Sequence, residues 1–561
     1  MPSPSKFAYP LAIFSAVLLV LPFPMAGPTP AWRMDIALVA LVPLVLALLI
    51  RSPATGVRLI LRNVLLGYLC GIVWYGGTCT WVYPTMYLYG NMPKPLAALL
   101  LVLFCLYLGL YYAFFALLVT LTHRATGKTG WTLFFTPFLW VAMELACARV
   151  TSFPWDQLGI SQIDNLFVSR LAMWTGVYGI SFLIVTVNCL FAAALLLRGR
   201  GAREMWRNRG IAFAVAVLLV VGVRAAKHWR PAPSPSPATA MLLQPNLNVN
   251  GNNDWSGTLF DVNVQRLAAL SENKCLPYID GMPETAAQLV RPECAGAVRP
   301  TPATPLADVI LWPESPAPFQ AEDQHFQHWV SALVQEAHAP MIAGDIAILR
   351  NANPPNSTEI FNSASFIAPD GAFVGHYDKM HLVPFGEYVP FQQWLSFAGG
   401  LTAQVGTMTH GTRRTVFTIN GHIYGTFICY ESIFADEVRQ FPLLGADVLV
   451  NLSDDGWYGD TSAPWQHLNM ARMRAVENHR WVLRDTNSGV TASIDPYGRV
   501  VEALPRHTQS SLQAHFGYIS DVTFYAVHGD LFAWLCAIIA IVLAVDGCLQ
   551  HPPLESDSRS F

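Results

Sequence analysis

The chain has 561 residues, 53% of them hydrophobic and only 13% charged, with a mean hydropathy of +0.36. That is too apolar and too sparsely charged for an ordinary soluble protein. A net charge of −3, with no basic patch interleaved with aromatics in the more polar half, excludes a nucleic-acid partner.

Apolar stretches long enough to cross a bilayer core of roughly 30 Å recur through the first 225 residues. Seven are expected, at 8–25, 34–50, 60–79, 96–122, 130–148, 168–197 and 211–226, within a membrane domain spanning residues 1–229. An eighth, at 526–546, stands alone before a tail at 547–561. A cleaved leader is the alternative for the first, but its Pro-rich end "LPFPMAGP" carries no A-x-A site. Lys and Arg crowd alternate loops: Arg51, Arg58 and Arg62; Arg124 and Lys128; then Arg198, Arg200, Arg203, Arg207 and Arg209. Those loops are expected in the cytoplasm, and the block after the seventh span outside. Glu144, in "WVAMELACARV", is an acid within a span; it requires a polar cavity, a neighbouring helix or Arg149 as partner.

"RPAPSPSPATA", residues 230–240, is a stiff connector to an outer domain at 241–520. Short β-branched and aromatic runs follow: "MLLQPN", "DVILW", "PMIAGDIAI", "SASFIAPDG", "VFTI", "IYGTFIC", "DVLVNL", "WVLRDT" and "GVTASID". Helical patterns at 322–338, 430–444 and 464–479 separate several of them. "INGH" and "DPYG" are hairpin turns, so an α/β domain with mixed sheets is expected. Residues 271–305 are a turn-rich excursion holding Cys275 and Cys294, which an oxidising compartment allows to pair, closing a loop worth roughly 3 kcal/mol.

Three positions at strand ends are candidates for chemistry, against the plainer alternatives of a core-packing cysteine, a helix N-cap or loop acid, and a surface lysine. Cys429, in "GTFICYESIF", lies where a strand gives way to a helix, whose N-terminus would lower a thiol pKa. Glu314, in "LWPESPAPF", is a carboxylate held between Pro313 and Pro316, suited to moving a proton. Lys379, in "HYDKMHLVPFGEYVP", is a cation for an oxyanion and for a thiolate, with Glu387 eight residues on; His381 is the other candidate base.

"WPES", "DKMHLVPFGEYVP", "CYESIF" and "DDGWYGDTSAPWQHLNMARMRAVENHRWVLRDTNSG" together resemble the signature segments of apolipoprotein N-acyltransferases, integral membrane members of the nitrilase superfamily. The resemblance covers nearly the whole chain and implies an αββα sandwich beside the multi-span helical domain. It implies Glu314 as general base, Lys379 as oxyanion stabiliser, Cys429 as nucleophile, and Glu387, Tyr430 and Glu431 as supporting residues. Trp255, in "NNDWSG", matches a functional tryptophan over a short stretch. One departure lies at Asp454-Asp455 in "SDDGWYG", where the pattern expects Asn-Asp; the excursion is another.

The implied reaction moves a fatty acyl chain from a phospholipid to a cysteine thioester, and then to the α-amino group of the diacylglyceryl-cysteine of a lipoprotein, at the outer face of a bacterial inner membrane. No cofactor is implied, and the outer block shows neither a phosphate-binding loop nor metal-ligand spacing. A membrane-tethered amidase or nitrilase acting on a small molecule would share the three residues without needing eight spans. A transporter or scaffold would need none of the three. The apolar "FQQWLSFAGGLT", 391–402, with Trp394 and Phe397, is either a lid dipping into the membrane interface or a core-packing helix.

Overall fold

The computed structural model describes residues 7–90, 92–249, 258–272, 300–314, 319–351, 357–388 and 408–550. Trp255, Trp394, the whole of 391–402, and Cys275 with Cys294 lie outside the described residues.

Among the described residues, seven helices are long and apolar enough to cross a membrane: Ala31–Leu49, Gly56–Thr78, Lys94–Thr126, Thr129–Thr151, Val177–Leu196, Ala202–Ala226 and Leu531–Leu549. The expected first span is shorter than predicted. Ala8–Val20 is a 13-residue helix, about 20 Å long at 1.5 Å per residue, and the chain turns away at the Pro22 and Pro24 end of the run. The expected span 168–197 is also broken. Leu166–Ser169 and Ala172–Thr175 are separate turns, and Gly176, at φ +63°, redirects the chain into Val177–Leu196. The last span begins at Leu531, after a turn at Phe524–His528.

Gly56–Thr78 and Lys94–Thr126 pack backbone against backbone. A Cβ at Gly67 would lie 2.3 Å from the Tyr112 carbonyl, and one at Gly71 would lie 2.9 Å from the Gly109 Cα. Small residues four apart therefore let the backbones touch, the packing that substitutes for hydrophobic drive inside lipid. One carboxyl oxygen of Glu144 is partnered locally: Oε1 accepts from Trp140 Nε1 at 2.9 Å and from the Leu158 N–H at 2.8 Å. Arg149, the other expected partner, instead pairs with Asp436 and Asp530.

The outer domain holds two six-stranded sheets. Strands are β1 Ala238–Gln244, β2 Val309–Trp312, β3 Met341–Asn351, β4 Ser357–Ile367, β5 Phe373–Asp378, β6 Val416–Ile419, β7 His422–Ile428, β8 Val448–Ser453, β9 Val482–Thr486, β10 Ala492–Ile494, β11 Val500–Ala503 and β12 Ser510–Phe516. The orders are β12-β1-β2-β3-β4-β5 and β11-β10-β9-β8-β7-β6. β1 begins at Ala238, inside the expected connector, because it pairs with β12 from its first residue.

Alternation sorts the side chains between two layers. Ala240, Leu242, Val309 and Leu311 pack inward against Tyr424, Phe427, Val448 and Val450. Met241, Leu243, Ile310 and Trp312 face outward, under the helices Thr258–Ser271 and Gln324–Ala337. Ala463–Asn478 packs against β9, giving helices outside both sheets. The result is the expected αββα sandwich.

The membrane helices and this domain share one core. Tyr430, Ile433, Phe434, Tyr458, Met470, Met473 and Val476 belong to the same buried cluster as Trp74, Tyr75, Trp81, Trp140 and Trp155. The domain sits against the helix ends around Trp81, Ser152 and Val177; the Arg-bearing loops join the opposite ends of these helices.

Candidate active site

Glu314, Lys379 and Cys429 each follow the last residues of a strand: β2, β5 and β7. Parallel pairing of β2 with β3 and of β7 with β8 directs the carboxyl ends of both sheets to one edge. All three side chains are buried there, at 7%, 1% and 5% exposure.

Lys379 is the hub. Its Nζ donates to Glu314 Oε1 and to Glu387 Oε1, both at 2.9 Å. Burial works against its ammonium, but Glu314 and Glu387 overcome that and hold its pKa well above the ordinary lysine value. Asn362, on β4, donates its Nδ2 to the same two oxygens, at 2.8 Å to Glu314 and 2.6 Å to Glu387. The Asp454 N–H reaches Glu314 Oε2 at 2.9 Å, and the Val383 N–H reaches Glu387 Oε2 at 2.7 Å. Both carboxylates are thus oriented from every side, as two buried charges must be if they are to share one cation.

Cys429 adopts φ +49°, a left-handed conformation uncommon for a residue with a Cβ. It opens the 3-10 turn Cys429–Ile433, not the longer helix expected over 430–444. Phe434 is extended, and only the four-residue turns Ala435–Val438 and Gln440–Leu443 follow. The expected lowering of the thiol pKa is also overturned. Burial and the negative charge of Glu314 push the Cys429 thiol well above its ordinary value, while Lys379 offsets only part of this. The pocket therefore favours the protonated thiol.

Glu431 ties the two sheets together. Its Oε1 accepts from the Tyr377 hydroxyl at 2.8 Å and from the Met380 and His381 N–H groups at 2.7 and 3.1 Å; its Oε2 accepts from the Ile428 N–H at 2.6 Å. Burial pushes its pKa up to about 7 against the pull of those donors. Tyr430 points toward the membrane helices, its hydroxyl donating to the Ser152 carbonyl at 3.1 Å. His381 is stacked on Phe434, 4.4 Å between ring centroids, with its pKa lowered by burial.

The Asp454-Asp455 departure resolves into two different environments. Asp454 accepts from the Gly456 N–H at 2.9 Å and Asn487 Nδ2 at 3.1 Å, and burial pushes its carboxyl up to about 7. Burial would raise Asp455 too, but Arg484 and His467 beside it hold its carboxyl well below the usual range. Arg484 donates to Asp455 Oδ2 at 2.7 Å, and His467 Nδ1 lies 2.8 Å from Oδ1.

Asn362, His467 and Arg484 escape a reading of the sequence. The visible signal is polarity inside buried elements: an Asn within the strand run "EIFNSASF", an Arg within "WVLRDT" and a His on a helix whose polar residues are buried with its apolar ones. Among the described residues no cluster of three or more His, Cys, Asp or Glu side chains suits a metal.

Comparison with known proteins agrees with this architecture. Residues 15–190 match the family model "Apolipoprotein N-acyltransferase N-terminal domain", and residues 258–516 match "Carbon-nitrogen hydrolase". The chain is 31% identical to an apolipoprotein N-acyltransferase of Geobacter metallireducens over 96% of this chain and 94% of that one. It is 33% identical to that of Methylococcus capsulatus, covering 91% and 92%, and 28% identical to that of Vibrio cholerae, covering 89% and 90%. With such identity sustained across membrane helices and sandwich alike, this chain belongs to the apolipoprotein N-acyltransferase family.

Proposed function

We propose that this membrane enzyme transfers a fatty acyl chain from a phospholipid to the α-amino group of the diacylglyceryl-cysteine at a lipoprotein N-terminus, through a thioester on Cys429. The observation that carries the reading is the convergence of Glu314, Lys379 and Cys429 at the carboxyl ends of three strands, in a buried site floored by membrane helices.

Glu314 takes the Sγ proton, and the thiolate adds to the ester carbonyl. Lys379 and backbone N–H groups stabilise the resulting oxyanion. The ester C–O bond breaks, the proton passes to the departing glycerol oxygen, and lysophospholipid leaves a thioester. In the second half the acceptor amine attacks that thioester, Glu314 removes a proton from nitrogen, and the C–S bond breaks to regenerate the thiol. Formation of an amide from a thioester is downhill, so the cycle is ping-pong and needs no other energy source. Glu387 shares Lys379 with Glu314 and so keeps the ammonium aimed as the charge on Glu314 changes.

The crowding of Arg in alternate loops supports a cytoplasmic position for those helix ends and, with it, a sandwich on the outer face of a bacterial inner membrane, where both lipid substrates reach Cys429 from the bilayer. The test is intact-mass spectrometry of the purified enzyme after incubation with phospholipid vesicles. A fatty-acyl adduct on Cys429 that hydroxylamine removes and a diacylglyceryl-cysteinyl peptide discharges is expected. Absence of any adduct, together with hydrolysis of small amides, would sink the reading.

A further inference from the structure

The unusual backbone at Cys429 has a partner that the mechanism above does not use. His467, fully buried in the helix Ala463–Asn478, lies with its Nε2 3.0 Å from the Cys429 carbonyl oxygen. A carbonyl only accepts, so this nitrogen carries a hydrogen and donates it. On its other side the ring is fixed by Asp455 Oδ1 at 2.8 Å. Asp455 is itself held by Arg484 and by the Ser453 hydroxyl at 3.0 Å. Arg484 also stands 3.1 Å from His467 Nδ1. Trp155, from the membrane domain, stacks on the imidazole at 6.0 Å and 16°, and donates its indole N–H to Gln466 at 2.8 Å. The ring has no freedom left.

In a planar trans peptide the C=O and the following N–H point in opposite directions. Fixing the Cys429 carbonyl on His467 therefore fixes the Tyr430 N–H on the other side. As one of the first donors of the turn Cys429–Ile433, that N–H has no acceptor within the turn. We infer that His467 is a positioning residue: it rotates the Cys429–Tyr430 peptide so that the Tyr430 N–H is presented to the acyl oxygen as that oxygen becomes negative. It also holds the nucleophile in its left-handed conformation, which is unfavourable for a residue with a Cβ. The inference rests on Cys429 being the nucleophile.

Two substitutions separate the ring's functions, because Gln reproduces the reach of Nε2 and Asn that of Nδ1. His467→Gln keeps a donor for the Cys429 carbonyl; His467→Asn keeps the bond to Asp455 and loses that donor. Each full-length variant is reacted with two reagents. A phospholipid forms an oxyanion on the way to the acyl-enzyme, whereas iodoacetamide alkylates the same sulfur by displacement, with no oxyanion at all. His467→Asn is expected to slow acyl-enzyme formation about 10²-fold while alkylation stays within about threefold, and His467→Gln to recover acylation to within about tenfold of wild type.

The inference fails if the two variants lose acylation equally, or if alkylation falls in step with acylation. If neither variant can be purified folded, Trp155→Phe, which unseats the ring without removing it, replaces them. It must lower acylation more than alkylation, and an equal effect on both, or none, overturns the inference. A wild-type enzyme that alkylates at Cys429 but never acylates there points instead to failure of the nucleophile assignment.

Discussion

The two sheets meet at one edge and prepare it by opposite means. The first sheet ends in charge: Glu314, Lys379 and Glu387 form a buried ion cluster stitched by Asn362. The second ends in geometry: Cys429 is bent into a positive φ, and its neighbours Tyr430 and Glu431 are occupied in holding the turn. Neither half is competent alone. On the proposed mechanism the charges have nothing to act on without the sulfur, and the buried thiol has no base to take its proton without Glu314.

Substitutions that remove one half while sparing the other test this division. The largest effect is expected for Cys429→Ser, which preserves shape and hydrogen bonding but replaces a good nucleophile with a poor one. Acyl transfer should fall by about 10⁴-fold or more, with no adduct in the intact mass and an unchanged Tm.

Lys379→Met removes the cation on which two carboxylates depend. Breaking a buried ion cluster by deleting one member costs about 3–5 kcal/mol, so Tm should drop along with a loss in acyl-enzyme formation of about 10²-fold or more. An inactive variant with wild-type stability would show that the ion cluster is not what holds the first sheet's edge.

A third experiment reads pH. The Asp454 carboxyl is raised from 3.8 to about 7 in the folded protein. Folding thus holds its proton more tightly; that contribution is complete at pH below the unfolded value and is lost as pH rises through about 7. Glu431 and Glu477, also pushed up to about 7, titrate in the same window, so the informative quantity is a difference. Wild-type stability should fall more steeply than that of Asp454→Asn between about pH 4 and 7, by at most ~1.4 kcal/mol per pH unit. Parallel curves from thermal melts across that range would remove Asp454 from the account.

The smallest effect is expected for Tyr430→Phe, which loses one hydrogen bond to the Ser152 carbonyl. About 1 kcal/mol of stability should go, with the rate of iodoacetamide alkylation unchanged. A large loss of alkylation would mean that the tyrosine, not the turn, sets the position of the sulfur.

Much of this was legible before any coordinates. Hairpin turns stood out because Asn420-Gly421, with both residues at positive φ, and Gly498 need conformations their sequences advertise. The three strand-end residues stood out because short buried runs stopped abruptly beside them. β5, β11 and β12 were not recognised: "FVGHYD" and "SSLQAHF" alternate between faces without a continuous apolar run, and "VVEA" is short and largely exposed. Asn362 was hidden because its partners lie 48 and 25 residues away in the chain. His467 was hidden for the same reason, and its function concerns a backbone carbonyl, which leaves no trace in residue type. The early end of the first helix followed from Pro22 and Pro24, which lie inside a run whose hydropathy alone suggested a full crossing.

The core shared between sandwich and membrane helices decides what can be made of this enzyme. Cutting the connector before β1 would not liberate a water-soluble catalyst, since the turn that follows Cys429 presents Tyr430, Ile433 and Phe434 to the aromatic ends of the bundle. Resurfacing those positions for solubility would rewrite the residues beside the sulfur. Detergent is part of the same problem: if His467 positions Cys429 as inferred, an amphiphile that pries Trp155 away from His467 is expected to slow acylation while leaving both domains folded. Loss of activity on extraction is therefore to be sought at this junction before the protein is judged denatured.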